Sequence, residues 1–331
     1  ILKNHKQAFL RHYGIDVELV RVCSRNPEQA IEHGVEDIFT QDYTDIVNDP
    51  SIDIVIELIG GTTVAKNVVL ESLRAGKNVV TANKALMATY GEEVMAAAAE
   101  ANREIAFEAS VGGGIPIIDP MKHSLIANRI DTVMGIVNGT TNYMLTRMAE
   151  DDMPYDEVLA EAQAKGFAEA DPTADVDGLD AAAKIAILAS IAFNSRVTIN
   201  DVHTEGIRNI TPLDLEIAKD MGYSVKLLAH AHRTDEGIDV RVHPTMLPLD
   251  HQLSTVKVRV RVLRRAPSWA MCWRLRVTFR RAFPRSWVAP APIRFPSCRW
   301  RTSRPSTTSV SPSPTVRACW PLWRACSPIT T

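Results

Sequence analysis

The last part of the chain lacks acidic side chains altogether. Residues 251–331 contain no Asp, Glu, Gly, Tyr or Asn, yet they hold 16 of the 37 Lys and Arg residues. All six Trp and four of the five Cys also lie there. The first 250 residues therefore carry a formal charge of −18, and the remainder carries +16. A change in amino-acid composition this complete excludes one uniform domain across all 331 residues.

Two interpretations of the basic tail, residues 256–331, stay open. Its Arg and Trp side chains could bind nucleic acid through phosphate contacts and base stacking. Against this, the arginines follow no helical stripe, and the Arg, Pro, Ser, Ala, Trp and Cys bias is typical of GC-rich DNA translated out of frame. We favour the shifted reading frame. We therefore expect an aberrant, disordered tail and no nucleic-acid partner.

Cysteine and long apolar runs are scarce elsewhere in the sequence. Cys23 stands alone in the first 250 residues, and the tail cysteines lack the CxxC spacing of a zinc site. No apolar run is long enough to cross a bilayer, and the N-terminus has no signal-peptide core. We expect a cytoplasmic protein without a membrane partner. Because the chain begins at Ile1 rather than Met, we also expect its natural start to be missing.

Strands alternate with helices in the first third of the sequence. The segments 52–61 and 78–82 predict buried parallel strands, whereas 63–75 and 84–101 predict helices. This alternation is typical of an α/β fold with a doubly wound, Rossmann-like parallel sheet. The turn GxGxxG that normally meets the pyrophosphate is absent, so we expect the first strand and phosphate loop to be lacking. Residues 1–115 are predicted to form a partial dinucleotide-binding domain.

The pattern changes after residue 115. Residues 116–127 predict a helix and 129–139 a strand, and the segments 224–234 and 237–247 read as antiparallel strands. Such a mixture fits a second, α+β domain, which we assign to residues 116–255.

A loop rich in acids feeds a helix between Gly166 and Lys184. This segment, GFAEADPTADVDGLDAAAK, holds five carboxylates and one lysine. Pro172 prevents a helix in its first half, but the run from Leu179 is rich in helix formers. Asp180 and Lys184, four residues apart, therefore share one helix face. The arrangement favours a site for a cationic small molecule beside a proton donor.

Four segments taken together resemble homoserine dehydrogenase, and the resemblance covers roughly residues 1–255. They are VVTANKALM (79–87), FEASVGGGIPII (107–118), GIVNGTTNYML (135–145) and GFAEADPTADVDGLDAAAKIAIL (166–188). That family interconverts L-homoserine and L-aspartate 4-semialdehyde with NAD(P), on the route to threonine, methionine and isoleucine. The resemblance implies an NAD(P)-dependent oxidoreductase that forms a homodimer through its second domain.

The resemblance also implies roles for charged residues. Lys184 matches the family's proton-transferring lysine, and Lys84 matches a second lysine between nicotinamide and substrate. Glu169 matches the residue that binds the substrate ammonium group. Asp175 and Asp180 match further acids of the substrate site. Without the resemblance, each would be interpreted as a solvated surface charge.

Further positions follow from the same motifs. Gly139 and Thr140 are expected to line the substrate site, although helix capping alone explains Thr140. Gly166 matches a backbone contact to the cofactor. Arg25, just after a predicted strand, favours NADP over NAD because it can contact a ribose 2′-phosphate. A lone arginine is otherwise simply exposed.

The resemblance also implies a monovalent cation site within the segment 107–118. The family fills this site with Na⁺, held mostly by backbone carbonyls, and the matching residues are Glu108, Val111, Gly113 and Ile115. A glycine turn leaving a strand explains the same residues equally well. We expect any such ion to be structural.

The resemblance stops at Lys257, where the family pattern would return the chain to the nucleotide domain. With part of the cofactor site lacking, we expect this chain to be an impaired enzyme. The alternative enzyme is another NAD(P)-dependent amino-acid dehydrogenase of the same architecture. The non-enzymatic alternative is nucleic-acid binding by the tail.

Overall fold

The computed structural model describes residues 2–249 and 256–261, which form a parallel α/β region followed by an α+β region. The helices of these residues are α1 (Leu2–Tyr13), α2 (Glu28–Glu32), α3 (Thr44–Val47), α4 (Val64–Arg74), α5 (Lys84–Glu100), α6 (Gly139–Asp151), α7 (Tyr155–Ala164), α8 (Thr173–Val176), α9 (Leu179–Phe193) and α10 (Pro212–Asp220). The strands are β1 (Val22–Cys23), β2 (Phe39–Thr40), β3 (Ile54–Glu57), β4 (Asn78–Thr81), β5 (Ile105–Ala106), β6 (Arg129–Gly135), β7 (His203–Thr204), β8 (Tyr223–Arg233), β9 (Ile238–Pro248) and β10 (Val256–Arg261). No helix within these described ranges is long and apolar enough to cross a membrane.

The first region confirms the predicted Rossmann-like parallel architecture. Strands β3, β4 and β5 form a parallel sheet in that order, while β1 and β2 form a separate parallel pair. Val55, Val79 and Ile105 turn into the core, where α4 and α5 supply further buried side chains. The strand predicted just before Arg25 is β1, which has only two residues, Val22 and Cys23. Because parallel strands end at the same edge of a sheet, the loops that follow β3 and β4 lie next to each other there.

The second region confirms the expected mixture of helices and antiparallel strands. Its sheet has the order β10-β6-β8-β9-β7, in which β8 and β9 form a long antiparallel hairpin. Helix α9 contacts β6, β8 and β9, and Ile185 and Leu188 are fully buried. The many alanines of α9 let it lie close to Ala229 and Ala231 of the sheet. This helix is the centre of the core, so side chains in its first turns are firmly placed.

Two sequence expectations differ from the structure. The helix expected at 116–127 is a single π-helical turn, Pro120–Ser124, because the Glu108 carboxylate accepts the backbone amides of Ile117, Ile118 and Asp119 and holds them outside a regular helix. Residues 256–261 were expected to begin the disordered tail, but they form β10, which pairs antiparallel with β6. Their alternating valines suit a strand. The expectations for residues 262–331 lie outside the described part of the chain.

Gly206 allows the chain after β7 to approach the end of α8 closely. The amide of Ile207, the residue after Gly206, donates to the carbonyl of Val176 at the end of α8, at 2.8 Å. A Cβ at Gly206 would lie 2.1 Å from Val176 O and 2.5 Å from Asp177 Cα. The two backbones are therefore too close for any side chain at position 206.

We expect Gly206→Ala to lower the free energy of unfolding by about 1–3 kcal/mol, since one of the two backbones must shift. Gly91→Ala is the control, because its Cβ would meet Met87 Cε at an ordinary 3.8 Å inside a helix. Urea unfolding followed by circular dichroism measures both. Equal stability of the two variants would contradict the close approach.

Candidate active site

Asp180 forms a bridge between two lysines that are far apart in the sequence. Its Oδ2 lies 2.6 Å from Lys184 Nζ, and its Oδ1 lies 2.8 Å from Lys84 Nζ. The Asp180 side chain is 5% exposed, Lys184 17% and Lys84 45%. Lys184 Nζ also donates to the carbonyl of Val137 at 2.7 Å. The sequence resemblance grouped these three charged residues, and the structure brings them into direct contact.

The start of α9 explains why the carboxylate lies here. Gly178 adopts a left-handed conformation with φ 81° and turns the chain into the helix without a side-chain cap. Asp180 then occupies the first turn, where the helix dipole favours a negative charge. Lys184 follows one turn later on the same face, as its spacing predicts.

Lys84 is placed by a buried polar network at the ends of β3 and β4. The carboxylate of Glu57, 1% exposed, accepts the hydroxyl of Thr81 at 2.6 Å and the amide of Ile59 at 2.7 Å. The hydroxyl of Thr81 accepts the amide of Asn83, whose side chain caps α5. Lys84 is the first residue of that helix, where the dipole disfavours a cation, and Asp180 compensates for it. The sequence analysis assigned no role to Glu57.

The pKa of the Asp180 carboxyl is lowered from its ordinary 3.8. Burial alone would raise this pKa, but the charge and hydrogen bond of Lys184 and the hydrogen bonds from Lys84 and Asn138 outweigh burial. Asp180 is therefore an anion at neutral pH, and its part in the site is electrostatic.

Asn138 caps a helix and also contacts two of the acids. Its Oδ1 accepts the amide of Thr141 at 2.8 Å and so caps α6. Its Nδ2 donates to Asp175 Oδ1 at 2.6 Å and to Asp180 Oδ2 at 2.9 Å. The motif containing Asn138 was visible in the sequence, but an N-cap residue gives no local sign of a second set of partners.

The acids of the loop are distributed among separate partners. Asp177 pairs with Arg208, and Asp180 pairs with the two lysines. The mutual repulsion of these acids is therefore reduced by cations of the protein itself. Within residues 2–249, Asp175 has an amide donor but no ion pair, and Glu169 is exposed. These two carboxylates remain available for a cation.

The start of α6 reaches the acidic loop through Thr140. Its Oγ1 donates to the carbonyl of Phe167 at 2.7 Å, next to Gly166, which adopts φ 73°. Gly139 precedes it as the first residue of α6, and a Cβ there would meet open space. These predicted residues lie beside the cluster, and the structure gives no side-chain contact between them and the lysines.

Arg25 and the expected cation site lie elsewhere. Arg25 is exposed after β1, and its carbonyl accepts Gln41 Nε2 at 3.3 Å. The Glu108 carboxylate is committed to three amides, as described above, so carbonyls would have to supply any ligands. The carbonyl of Gly112 accepts the amide of Ile115. The described residues contain no group of three or more His, Cys, Asp or Glu side chains able to hold a metal ion.

Known proteins match both regions. The family described as "Homoserine dehydrogenase, NAD binding domain" matches residues 1–108, and that described as "Homoserine dehydrogenase" matches 116–264. A homoserine dehydrogenase of Bacillus subtilis is 46% identical over 257 residues, covering 77% of this chain and 59% of the relative. One of Corynebacterium glutamicum is 50% identical over 225 residues, covering 66% and 51%. This chain therefore spans little more than half of each relative.

A solved structure agrees. The homoserine dehydrogenase from Thiobacillus denitrificans superposes with a TM-score of 0.75 at 36% identity, over 88% of this chain and 74% of that one. The similarity includes both the parallel and the mixed sheet regions.

We expect Asp180→Asn to lower the free energy of unfolding by about 3 kcal/mol near pH 7, because it leaves two ammonium groups without their anion. The pKa of Asp180 is lowered, so its contribution is present above the ordinary value of 3.8 and is lost as pH falls below it. The deficit of the variant should therefore shrink at about pH 3. Urea unfolding at both pH values measures it.

Asp239→Asn is the control for that experiment, since Asp239 forms an exposed pair with Arg241. It should change stability little at either pH. A deficit for Asp180→Asn that is no larger than this control would contradict the bridging role.

Proposed function

The chain belongs to the homoserine dehydrogenase family, and on that premise we propose that it interconverts L-homoserine and L-aspartate 4-semialdehyde by hydride transfer with NADP. The contact of Asp180 with both Lys84 and Lys184 is the observation that carries the proposal. It joins a lysine of the dinucleotide-binding region to a lysine of the second region. A carbonyl substrate between the two regions would face both amines.

The chain's residues leave room for a dinucleotide at the carboxyl end of the parallel sheet. Gly60 and Gly61 follow β3 with φ 78° and 69°, and a Cβ at either would meet open space. Leu58 and Ile59 expose apolar surface beside them, at 74% and 55%. Bound there, the cofactor supplies or accepts the hydride. Arg25 would contact a 2′-phosphate, which favours NADP.

Lys184 is suited to transfer the proton. An ammonium group has three N–H donors. Two of them point to Asp180 Oδ2 and Val137 O, so the third is left for the substrate oxygen. As hydride reaches the carbonyl carbon, that N–H gives its proton to the developing alkoxide. In the oxidation direction the neutral amine takes the proton from the hydroxyl.

The carboxylates then bind and orient the substrate. Asp180 remains ionised and fixes both amines. Lys84, with two N–H donors left, would lie between the cofactor and the substrate. Asp175 and Glu169 lack a cation partner in the described segments and can receive the substrate ammonium. Gly139 and Thr140 would line the same space at the start of α6, and Gly166 would contact the cofactor through its backbone.

Three further features belong to the proposal. A structural Na⁺ would be held by carbonyls around Glu108, Val111, Gly113 and Ile115. A homodimer would form through the mixed sheet, on which Met246 is 42% exposed. A cytoplasmic location is proposed from the single cysteine of the first 250 residues, which is typical of a reducing compartment.

Lys184→Ala should lower kcat for reduction of L-aspartate 4-semialdehyde about 10²–10⁴-fold, because it removes the proton donor. NADPH affinity should stay unchanged. The measurements are NADPH absorbance in the presence of the aldehyde and NADPH fluorescence titration. Exposed Lys219→Ala is the control and should behave as the unmodified chain. If the unmodified chain consumes NADPH no faster than Lys184→Ala, the proposed activity is wrong for this chain.

Arg25→Glu should shift cofactor preference toward NAD. The carboxylate would repel a 2′-phosphate and accept the 2′-hydroxyl of NAD. We expect the ratio of kcat/KM for NADPH to that for NADH to fall about tenfold or more. Arg74→Glu, on α4, serves as a control for the charge change. An unchanged ratio in Arg25→Glu would show that Arg25 is merely exposed.

A further inference from the structure

The side chain of Asn138 uses all of its hydrogen-bonding capacity. Its Oδ1 accepts both the amide of Thr141 and the hydroxyl of Thr141, at 2.8 and 2.9 Å. Its two N–H donors go to Asp175 and Asp180. A side-chain amide offers two donors and two acceptor positions, so none is left over.

These partners fix the orientation of the amide. If the group were flipped, its carbonyl oxygen would face two carboxylates and its NH₂ would face the donor amide of Thr141. The contacts with both carboxylates and with the Thr141 amide would then be repulsive. Asn138 therefore presents its donors to the acids and its acceptor to the helix.

The two acids need such a donor between them. One Asp175 oxygen and one Asp180 oxygen lie within 2.6 and 2.9 Å of the same nitrogen, so the carboxylates are close together. Like charges at this distance repel each other. Asp180 has two lysines to offset this effect, but among residues 2–249 Asp175 has no cation partner.

We propose that Asn138 is a positioning residue that holds Asp175 and Asp180 together as carboxylates in front of Lys184. The proposal rests on the proposed function, since it explains how the substrate-site acids and the proton-donating amine are kept in one geometry. Asn138 acts through these residues and transfers no proton itself. The simpler explanation is that Asn138 serves only as the N-cap of α6, a position where Asn is a preferred residue.

Two variants separate these explanations, because Asp and Ser are also good N-caps. Asn138→Asp keeps a capping oxygen, removes both donors and adds a third negative charge. Asn138→Ser keeps a capping oxygen and removes both donors without adding charge. Thr211→Asn, which exchanges one good N-cap for another on α10, is the matched control.

The first readout is the rate of trace acetylation of Lys184 in the full chain, measured by mass spectrometry. Asn138→Asp should slow this reaction about tenfold, because an added carboxylate favours the unreactive ammonium form. Exposed Lys219 serves as the internal reference and should react at an unchanged rate. Thr211→Asn should leave both rates unchanged.

The second readout is stability as a function of pH. Asn138→Ser should lower the urea midpoint near pH 7. The pKa of Asp180 is lowered from its ordinary 3.8, partly by the Asn138 hydrogen bond, so this deficit should shrink as pH falls below 3.8 and Asp180 becomes protonated. A cap alone predicts only a small deficit that does not change with pH, because serine also caps. This readout decides the matter if Asn138→Asp does not fold.

Wild-type acetylation of Lys184 in a folded Asn138→Asp variant would overturn the proposal. So would a pH-independent deficit in Asn138→Ser, or equal effects in Thr211→Asn. Neither readout needs turnover. An inactive chain would therefore refute the proposed function and leave the positioning role to be judged by these two measurements.

Discussion

One buried carboxylate joins the two regions of the chain. Asp180, at the start of α9, pairs with Lys184 of its own helix and with Lys84 at the start of α5. A buried ion pair is weak evidence for stability, because apolar residues of similar size often serve at least as well. Its presence where the parallel-sheet region meets the second region favours a chemical role. The bridge requires both helices to present their first turns to the same point.

Three helix starts meet at this point, and each is built differently. Helix α5 begins at Lys84 under the cap of Asn83, and α6 begins after Asn138. Helix α9 has no side-chain cap and carries Asp180 in its first turn. The positive ends of the helix dipoles favour carboxylates here. The site is therefore prepared for anions within the protein before any substrate arrives.

Local sequence patterns predicted the parts of this site that depend on local spacing. The pairing of Asp180 with Lys184 follows from their spacing of four residues on one helix. The alternation of strands and helices predicted the parallel sheet. The partnership with Lys84 spans 96 residues and was reached through family resemblance. Arg208 neutralises Asp177 across 31 residues, a long-range contact that no local pattern reveals.

The basic tail shows a second limit of prediction from sequence, which concerns amino-acid composition. Composition favoured disorder from residue 256, but Val256–Arg261 pair with β6. A strand needs a few alternating apolar residues and a free edge to pair with, and both are present at the start of the segment with aberrant composition. Composition describes long segments well, whereas strand pairing is decided by six residues and their neighbour. The boundary of a fold can therefore lie several residues beyond the apparent boundary in composition.

The difference in burial between the two lysines suggests a division of labour. Lys184 stands on α9, whose inner residues are fully buried, and it is held at two points with 17% of its side chain exposed. Lys84 is held at one point and is 45% exposed. A proton donor gains from a fixed direction, since proton transfer depends on short, aligned contacts. A lysine that must respond to an arriving cofactor gains from freedom. The geometry thus favours Lys184 for the proton and Lys84 for contact with cofactor and substrate.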